Sequence, residues 1–325
     1  MIVRWGLGAL AAVLAEVGGA RPYLLASPRH AHPRLPGSVG WWHELPTELI
    51  GEVAAAATGP RAQADVLVAL GGGSTIDTAK AVSAETGLPI VSIPTTYSGA
   101  EWTPYFGVRD HGRRMRGGGA GARVEGIVYE PELTVDLPRA ETVGTALNAL
   151  AHCAEALYVR ERTADSDAHA LEGAALVSAS LPRVVDHPGD VGARTELLRG
   201  ACHAGAALAG AMLALGHALA QALGGRYGLP HGAMNALCLP PALRFNAAAA
   251  PKAVGRFAAA LGVEDAAARV EELARLGGFE RLRDFGVPEG ELAVVAEAAV
   301  ARPGAKANPR PVTAKEAEQL LRSIW

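Results

Sequence analysis

The first part of the chain alternates short apolar runs with segments of helical period. Residues 22–26, 65–70 and 90–93 are nearly continuous runs of Leu, Ile, Val and Ala, bounded by turn-forming residues. Residues 45–57 and 75–85 space their apolar positions as helices do. Unbroken apolar runs predict strands buried on both faces, and their alternation with helices predicts a covered parallel sheet. After Pro138 the pattern changes. Residues 142–159, 165–184, 192–223, 251–261, 264–276, 289–299 and 313–324 each predict a helix, separated by Gly, Pro and polar breaks. The expected architecture is α/β: a Rossmann-like parallel-sheet domain over residues 1–138, then an all-helical domain over 139–325. Ligands of such proteins usually sit in the cleft between domains. The tract Gly117-Gly118-Gly119-Ala120-Gly121 reads as a flexible loop beside Arg113, Arg114 and Arg116.

Composition narrows the function classes. The chain has 325 residues, 50% hydrophobic and 19% charged, which excludes a disordered protein and suffices for two cores. Lys and Arg total 30 against 33 Asp and Glu, a net charge of -3 that gives no footprint for nucleic acid. An uncharged apolar run of about 18 residues, the mark of a membrane-spanning helix, is missing. Glu16 and a weakly basic flank argue against reading the apolar N-terminus as a secretory signal. Three cysteines without a CxxC pair fit a reducing compartment, so a cytoplasmic setting is expected.

Three segments carry candidate chemistry. Gly71-Gly72-Gly73-Ser74-Thr75 follows the second strand and opens a helix. Glycines let the backbone approach a phosphate, and free amides at a helix start can hold it. The alternative is a tight strand-to-helix turn capped by Ser74. Pro94-Thr95-Thr96-Tyr97-Ser98 follows the third strand, where hydroxyl groups face the ligand crevice of α/β sheets. An ordinary Ser/Thr turn is the plainer reading. Asn148 and His152 lie four residues apart on one helical face, with His217 and His231 farther on. Such a set could hold a metal or could be satisfied core residues.

Taken in order, six segments resemble the iron-containing alcohol dehydrogenase superfamily, and within it the maleylacetate reductase branch. They are Gly71 to Ser74, Pro94 to Pro104 through Glu101, Tyr129 to Thr134, Asn148 to His152, Leu223 to His231, and Asn308 to Thr313. The resemblance implies a dehydroquinate synthase-like fold and either NADH or NADPH as cofactor. It places the diphosphate at Gly72, Gly73 and Ser74, the nicotinamide near Thr95, Thr96 and Ser98, and the adenosine ribose near Ser27. Ser27 with Arg29, in place of an acidic residue, leaves NADPH open beside NADH.

Metal-dependent members bind Fe or Zn through one Asp and three His. The matching positions are Asn148, His152, His217 and His231, and the loss of a carboxylate lowers divalent affinity, so an unoccupied site is the favoured expectation. Gln221 and Asn235 stand where relatives carry His, and Glu125 where a Lys is common.

The implied reaction is reduction of the conjugated C=C of maleylacetate, a small dicarboxylate, to 3-oxoadipate in the breakdown of aromatic compounds. His152, His217 and His231, with Asn148 and Tyr97, are the expected catalytic groups. They would stabilise an enolate and protonate carbon. Arg113, Arg114 and Arg116 are candidate carboxylate receptors, with a solvated basic loop as the equal alternative. A homodimer is expected by family likeness. The rival readings are a metal-dependent alcohol or polyol dehydrogenase, a lyase that uses NAD transiently, and a nucleotide-binding protein without catalysis.

Overall fold

The computed structural model describes residues 1–30, 35 and 37–325. The chain divides into two compact units, Met1–Thr96 with Ala100–Thr134, and Tyr97–Gly99 with Val135–Trp325. The chain therefore crosses between units after Thr96, returns after Gly99, and crosses for good after Thr134.

The first unit contains β1 (Ile2–Trp5), α1 (Leu10–Glu16), β2 (Pro22–Ala26), β3 (Gly40–Trp42), α2 (Ile50–Thr58), β4 (Val66–Gly71) and α3 (Gly73–Thr86). β5 (Pro89–Pro94), β6 (Phe106–Arg109), β7 (Met115–Gly119) and β8 (Arg123–Tyr129) follow. Among the described residues, six strands form one parallel sheet in the order β1-β8-β5-β4-β2-β3. Alternate residues of each central strand enter opposite cores, as the pleat requires. Leu25, Leu67 and Ala69 pack with Val53, Ile76 and Val82 of α2 and α3. Leu24, Val66, Val68 and Leu70 pack with Leu10, Val13 and Leu14 of α1. Both faces are covered, which is why these strands read as unbroken apolar runs.

The glycine-rich tract differs from its reading as a loop. Met115–Gly119 is strand β7, paired antiparallel with β6. A side chain at Gly119 would overlap the Phe106 ring, so the glycines here make room for a cross-strand aromatic.

The second unit is helical: α4 (Arg139–Ala156), α5 (Ala164–Asp186), α6 (Val191–Ala209), α7 (Leu215–Tyr227), α8 (His231–Asn246), α9 (Pro251–Ala260), α10 (Ala266–Arg275), α11 (Leu292–Val300), α12 (Pro303–Ala307) and α13 (Ala314–Ser323). α4 is buried almost all round, which is how an Ala-rich helix without a polar face is stabilised. The single helix expected over 192–223 is broken into α6 and α7 at Gly210. The turn before His231 ends one helix and begins another, although α8 carries Pro240 and Pro241. The Asn308–Thr313 segment has a packing role. Asn308 and Asn246 exchange two side-chain hydrogen bonds of 2.8 Å, and Thr313 with Glu316 caps α13. No helix among the described residues is long and apolar enough to cross a membrane.

Candidate active site

The sheet gathers the expected cofactor residues at one edge. β2, β4 and β5 are neighbours, with Ala26 opposite Leu70 and Gly71 opposite Pro94. Ser27, Gly71 to Ser74, and Thr95 to Thr96 therefore leave the sheet side by side, about 5 Å apart per strand. The glycine turn and the threonine loop touch: a Cβ on Gly72 would lie 2.9 Å from Thr96 Cγ2. α3 begins at Gly73 behind the N-cap Gly72, and no side chain caps it. Ser74 thus does not play the capping part, and the first amides of the helix meet no side-chain acceptor. An uncapped helix start of this kind favours an anion. Farther along the same unit, Trp102 donates to Tyr129 Oη (2.8 Å), and Tyr129 donates to the buried carboxylate of Glu101 (2.7 Å).

In the second unit a different set converges. Gly232, in the first turn of α8, presses against Gly144 of α4 so closely that a Cβ there would lie 2.4 Å from the Gly144 carbonyl carbon. That contact brings Asn148 and His152 of α4 beside His231 and Asn235 of α8. His217 of α7 completes the cluster. Its ring stacks on His152 with centroids 4.8 Å apart and planes 11° from parallel, and lies 5.8 Å from the ring of His231.

The hydrogen bonds give each ring a different setting. Glu155, one turn beyond His152 on α4, is fully buried. Its carboxylate accepts from the backbone N–H of Ala214 (2.6 Å) and of His217 (3.1 Å), and lies 2.7 Å from His217 Nδ1. With a carboxylate as acceptor, Nδ1 carries a proton. Nε2 of the same ring lies 3.3 Å from Asn148 Oδ1. The Asn148 amide is oriented by its Nδ2, which donates to the Ser98 carbonyl (2.8 Å), so Oδ1 is the atom turned to His217. Both ring nitrogens of His217 thus face oxygen atoms, one of Glu155 and one of Asn148.

Asn235 Nδ2 donates to Asn148 Oδ1 (2.7 Å) and lies 3.0 Å from His231 Nε2, which then accepts. His231 is half-buried at the first residue of α8, whose start no side chain caps. His152 is different again. Burial, then the neighbouring His217 and His231 rings, hold its pKa well below the usual imidazole range. Its Nδ1 is buried without a partner. A ring so placed is neutral, which makes His152 a poor acid.

These groups do not fit a divalent ion as they stand. The four candidate ligands have no carboxylate among them, and the Asn235 amide engages both Asn148 Oδ1 and His231 Nε2. Among the described residues, no group of three or more His, Cys, Asp or Glu is arranged to hold a metal.

Tyr97 is fully buried, and its hydroxyl accepts from Nη1 of Arg194 at 3.2 Å. Arg194, itself buried, also donates to the carbonyls of Val135 (3.1 Å) and Pro188 (3.0 Å). Tyr97 therefore anchors the 97–99 segment within the helical unit. Arg113 and Arg114 lie exposed in the β6–β7 turn and Arg116 exposed on β7, where it pairs with Asp110 (2.7 Å) and Glu48 (3.7 Å).

Glu155 and the engagement of Asn235 were not foreseen. A carboxylate three residues after His152 on an otherwise apolar helix was the available signal.

Comparison with known proteins adds three findings. Residues 142–325 match the C-terminal part of the Fe-containing alcohol dehydrogenase family, and residues 40–120 match iron-containing alcohol dehydrogenase. A maleylacetate reductase of Burkholderia cepacia is 37% identical over 99% of this chain and 95% of its own length. Another, from Sphingobium indicum, is 39% identical over 82% of this chain and 76% of its own. The crystal structure of maleylacetate reductase from Agrobacterium tumefaciens superposes with a TM-score of 0.89 at 32% identity, covering 100% of this chain and 95% of that one.

Proposed function

The chain belongs to the iron-containing alcohol dehydrogenase family, and from that membership we propose that it is an NAD(P)H-dependent oxidoreductase reducing the conjugated C=C of maleylacetate to 3-oxoadipate. The observation that carries the reading is the buried Glu155–His217 pair beside Asn148 and His231, joined to likeness with maleylacetate reductases across nearly the whole chain. A cytoplasmic homodimer belongs to the same reading.

The nicotinamide, when bound, supplies a hydride to the alkene carbon conjugated with the ketone. In this reading the sheet unit supplies the cofactor contacts except that of Ser98, which belongs to the helical unit. The amides of Gly72, Gly73 and Ser74 at the start of α3 hold the diphosphate. Thr95, Thr96 and Ser98 serve the nicotinamide side, and Ser27 the adenosine ribose. Ser27 brings no carboxylate against a 2′-phosphate, so both cofactors are accommodated.

The helical unit carries the chemistry. As hydride adds, negative charge collects on the ketone oxygen as an enolate. His217 Nε2–H and the positive start of α8 at His231 favour that charge, and both are set before the reaction begins. The proton at His217 Nε2 then passes to the carbon next to the enolate carbonyl, with Glu155 stabilising the ring through Nδ1–H. Asn148 orients the acceptor side of the network, and neutral His152 supports the His217 ring by stacking. No metal enters any step.

The decisive assay follows NADH and NADPH oxidation with maleylacetate, with and without a chelator. Oxidation by at least one cofactor, unaffected by chelation, is expected. Activity toward simple alcohols that chelation abolishes and Fe or Zn restores would instead identify the metal-dependent dehydrogenase. Nucleotide binding without oxidation by any substrate would identify a non-catalytic protein.

A further inference from the structure

A diacid needs a cation, and the helical unit holds one without a counter-charge. Arg302 stands just before α12 and is half-buried. Its Nη1 donates to Gln221 Oε1 (3.3 Å) and its Nη2 to the Gln221 carbonyl (3.1 Å). Both acceptors are neutral, and Arg302 forms no ion pair among the described residues. Its Nε is buried with no hydrogen-bond partner. A guanidinium offers five donors, so most of this one's capacity is unused. A cation partly withdrawn from water and left unpaired is costly until an anion reaches it. Burial accordingly lowers the Arg302 pKa.

Position completes the argument. Gln221 is four residues beyond His217 on α7, and Gly225 four beyond that, so the three form one row on the helix. A Cβ on Gly225 would lie 3.5 Å from Arg302 Nη2, so the guanidinium lies along this row. On this row His217 is one turn from Gln221 and two from Gly225, about 6 and 12 Å along the helix axis. A short diacid with its alkene at His217 has its farther carboxylate within that interval. The backbone that carries Arg302 is also fixed. A Cβ on Gly304 would lie 2.6 Å from the Ala214 carbonyl oxygen, so α12 sits directly on the turn that opens α7. The N–H of that same Ala214 is held by Glu155. His217 and Arg302 are thus positioned from one framework.

We propose that Arg302, steadied by Gln221, binds a carboxylate of the substrate and sets the preference for a diacid. The proposal rests on the dicarboxylate reading above. It also gives the Gln at position 221 a purpose: its side-chain carbonyl accepts from the guanidinium. Arg is the residue best shaped for a planar carboxylate, which it meets with two parallel N–H bonds.

The test measures kcat and KM for maleylacetate and for its monoesters in wild type, Arg302→Gln and Arg302→Lys. Arg302→Gln should raise KM for the diacid roughly 10- to 100-fold, the loss of a charged hydrogen bond, with a smaller change in kcat. The preference for diacid over monoester should collapse in Arg302→Gln and recover in part in Arg302→Lys. An unchanged KM and an unchanged preference in folded Arg302→Gln would overturn the proposal. Should that variant fail to fold, Gln221→Leu keeps the charge and removes its support, and an unaltered diacid KM there would overturn it equally. Calorimetric titration with adipate separates this proposal from the reaction assignment. If wild type reduces no maleylacetate but binds adipate in a manner lost on Arg302→Gln, the anion site stands and the reaction falls. If wild type is active while adipate binds both forms equally, the anion site falls alone.

Discussion

Glu155 and His217 are 62 residues apart in sequence and lie on different helices, yet Oε2 and Nδ1 are 2.7 Å apart and both side chains are buried. A carboxylate so placed fixes the orientation of the ring through Nδ1. Glu155→Gln keeps the shape and removes the charge. We expect kcat and kcat/KM to fall together, on the order of 10²- to 10⁴-fold, as when the carboxylate behind a catalytic His is neutralised. NADH affinity should hold. Stability should drop by about 1–3 kcal/mol, because an amide cannot accept from all three donors that now reach the carboxylate. Steady-state kinetics beside thermal melting decide the matter, and a folded variant with normal kcat would remove Glu155 from the mechanism.

The uncapped start of α3 gives a prediction with two opposite signs. Ser74→Asp puts a negative charge in the first turn, where it favours the helix by about 0.3–1 kcal/mol. The same charge repels a diphosphate. Melting temperature should hold or rise while NADH affinity, followed by cofactor fluorescence, falls at least about tenfold, roughly 1.4 kcal/mol. Equal affinity in the two proteins would mean that the diphosphate lies elsewhere.

Glu101 gives a pH dependence. Burial raises its pKa above the usual 4.5, against the opposing pull of its own backbone N–H, the Tyr129 hydroxyl and Lys80. One carboxyl oxygen, Oε2, is buried without a partner. The folded state therefore holds its proton more tightly than the unfolded chain. The resulting stability is fully present below about pH 4.5 and is lost as pH rises through the folded-state value, by up to about 1.4 kcal/mol per pH unit. Glu101→Gln is neutral throughout and should lack that decline. Urea denaturation from pH 4 to pH 7 compares the two, and parallel stability curves would contradict the assignment.

The strands at 22–26 and 65–70 were legible because residues buried on both faces leave a run that only a covered sheet explains. Asn148, His152, His217 and His231 were legible through spacing and resemblance together. α8 was hidden by Pro240 and Pro241, which deny backbone donors inside a helix that tertiary packing nevertheless holds. The break between α6 and α7 falls at Gly210, and the start of α7 is held by Glu155 accepting from the Ala214 amide, 59 residues away. Arg302 was invisible for the same reason, since its partner Gln221 is 81 residues distant. Local pattern reports periodicity and turns. It does not report which buried charge will meet which helix end.

The three residues Tyr97 to Gly99 have a consequence for how this chain can be inherited. A piece beginning at Val135 would contain every helix from α4 onward, yet Arg194 would lose the Tyr97 hydroxyl and Asn148 the Ser98 carbonyl. A buried guanidinium and the amide that faces His217 would both be left short of an acceptor. Exchange of halves between relatives at this border would pair each helical half with a tripeptide brought by the other parent. Such a chimera keeps the Arg194 bond only where the incoming residue 97 is also Tyr, whereas the acceptor for Asn148 is backbone and comes with any residue at 98. Split by its helices, the protein is two cassettes; split by its hydrogen bonds, it is not.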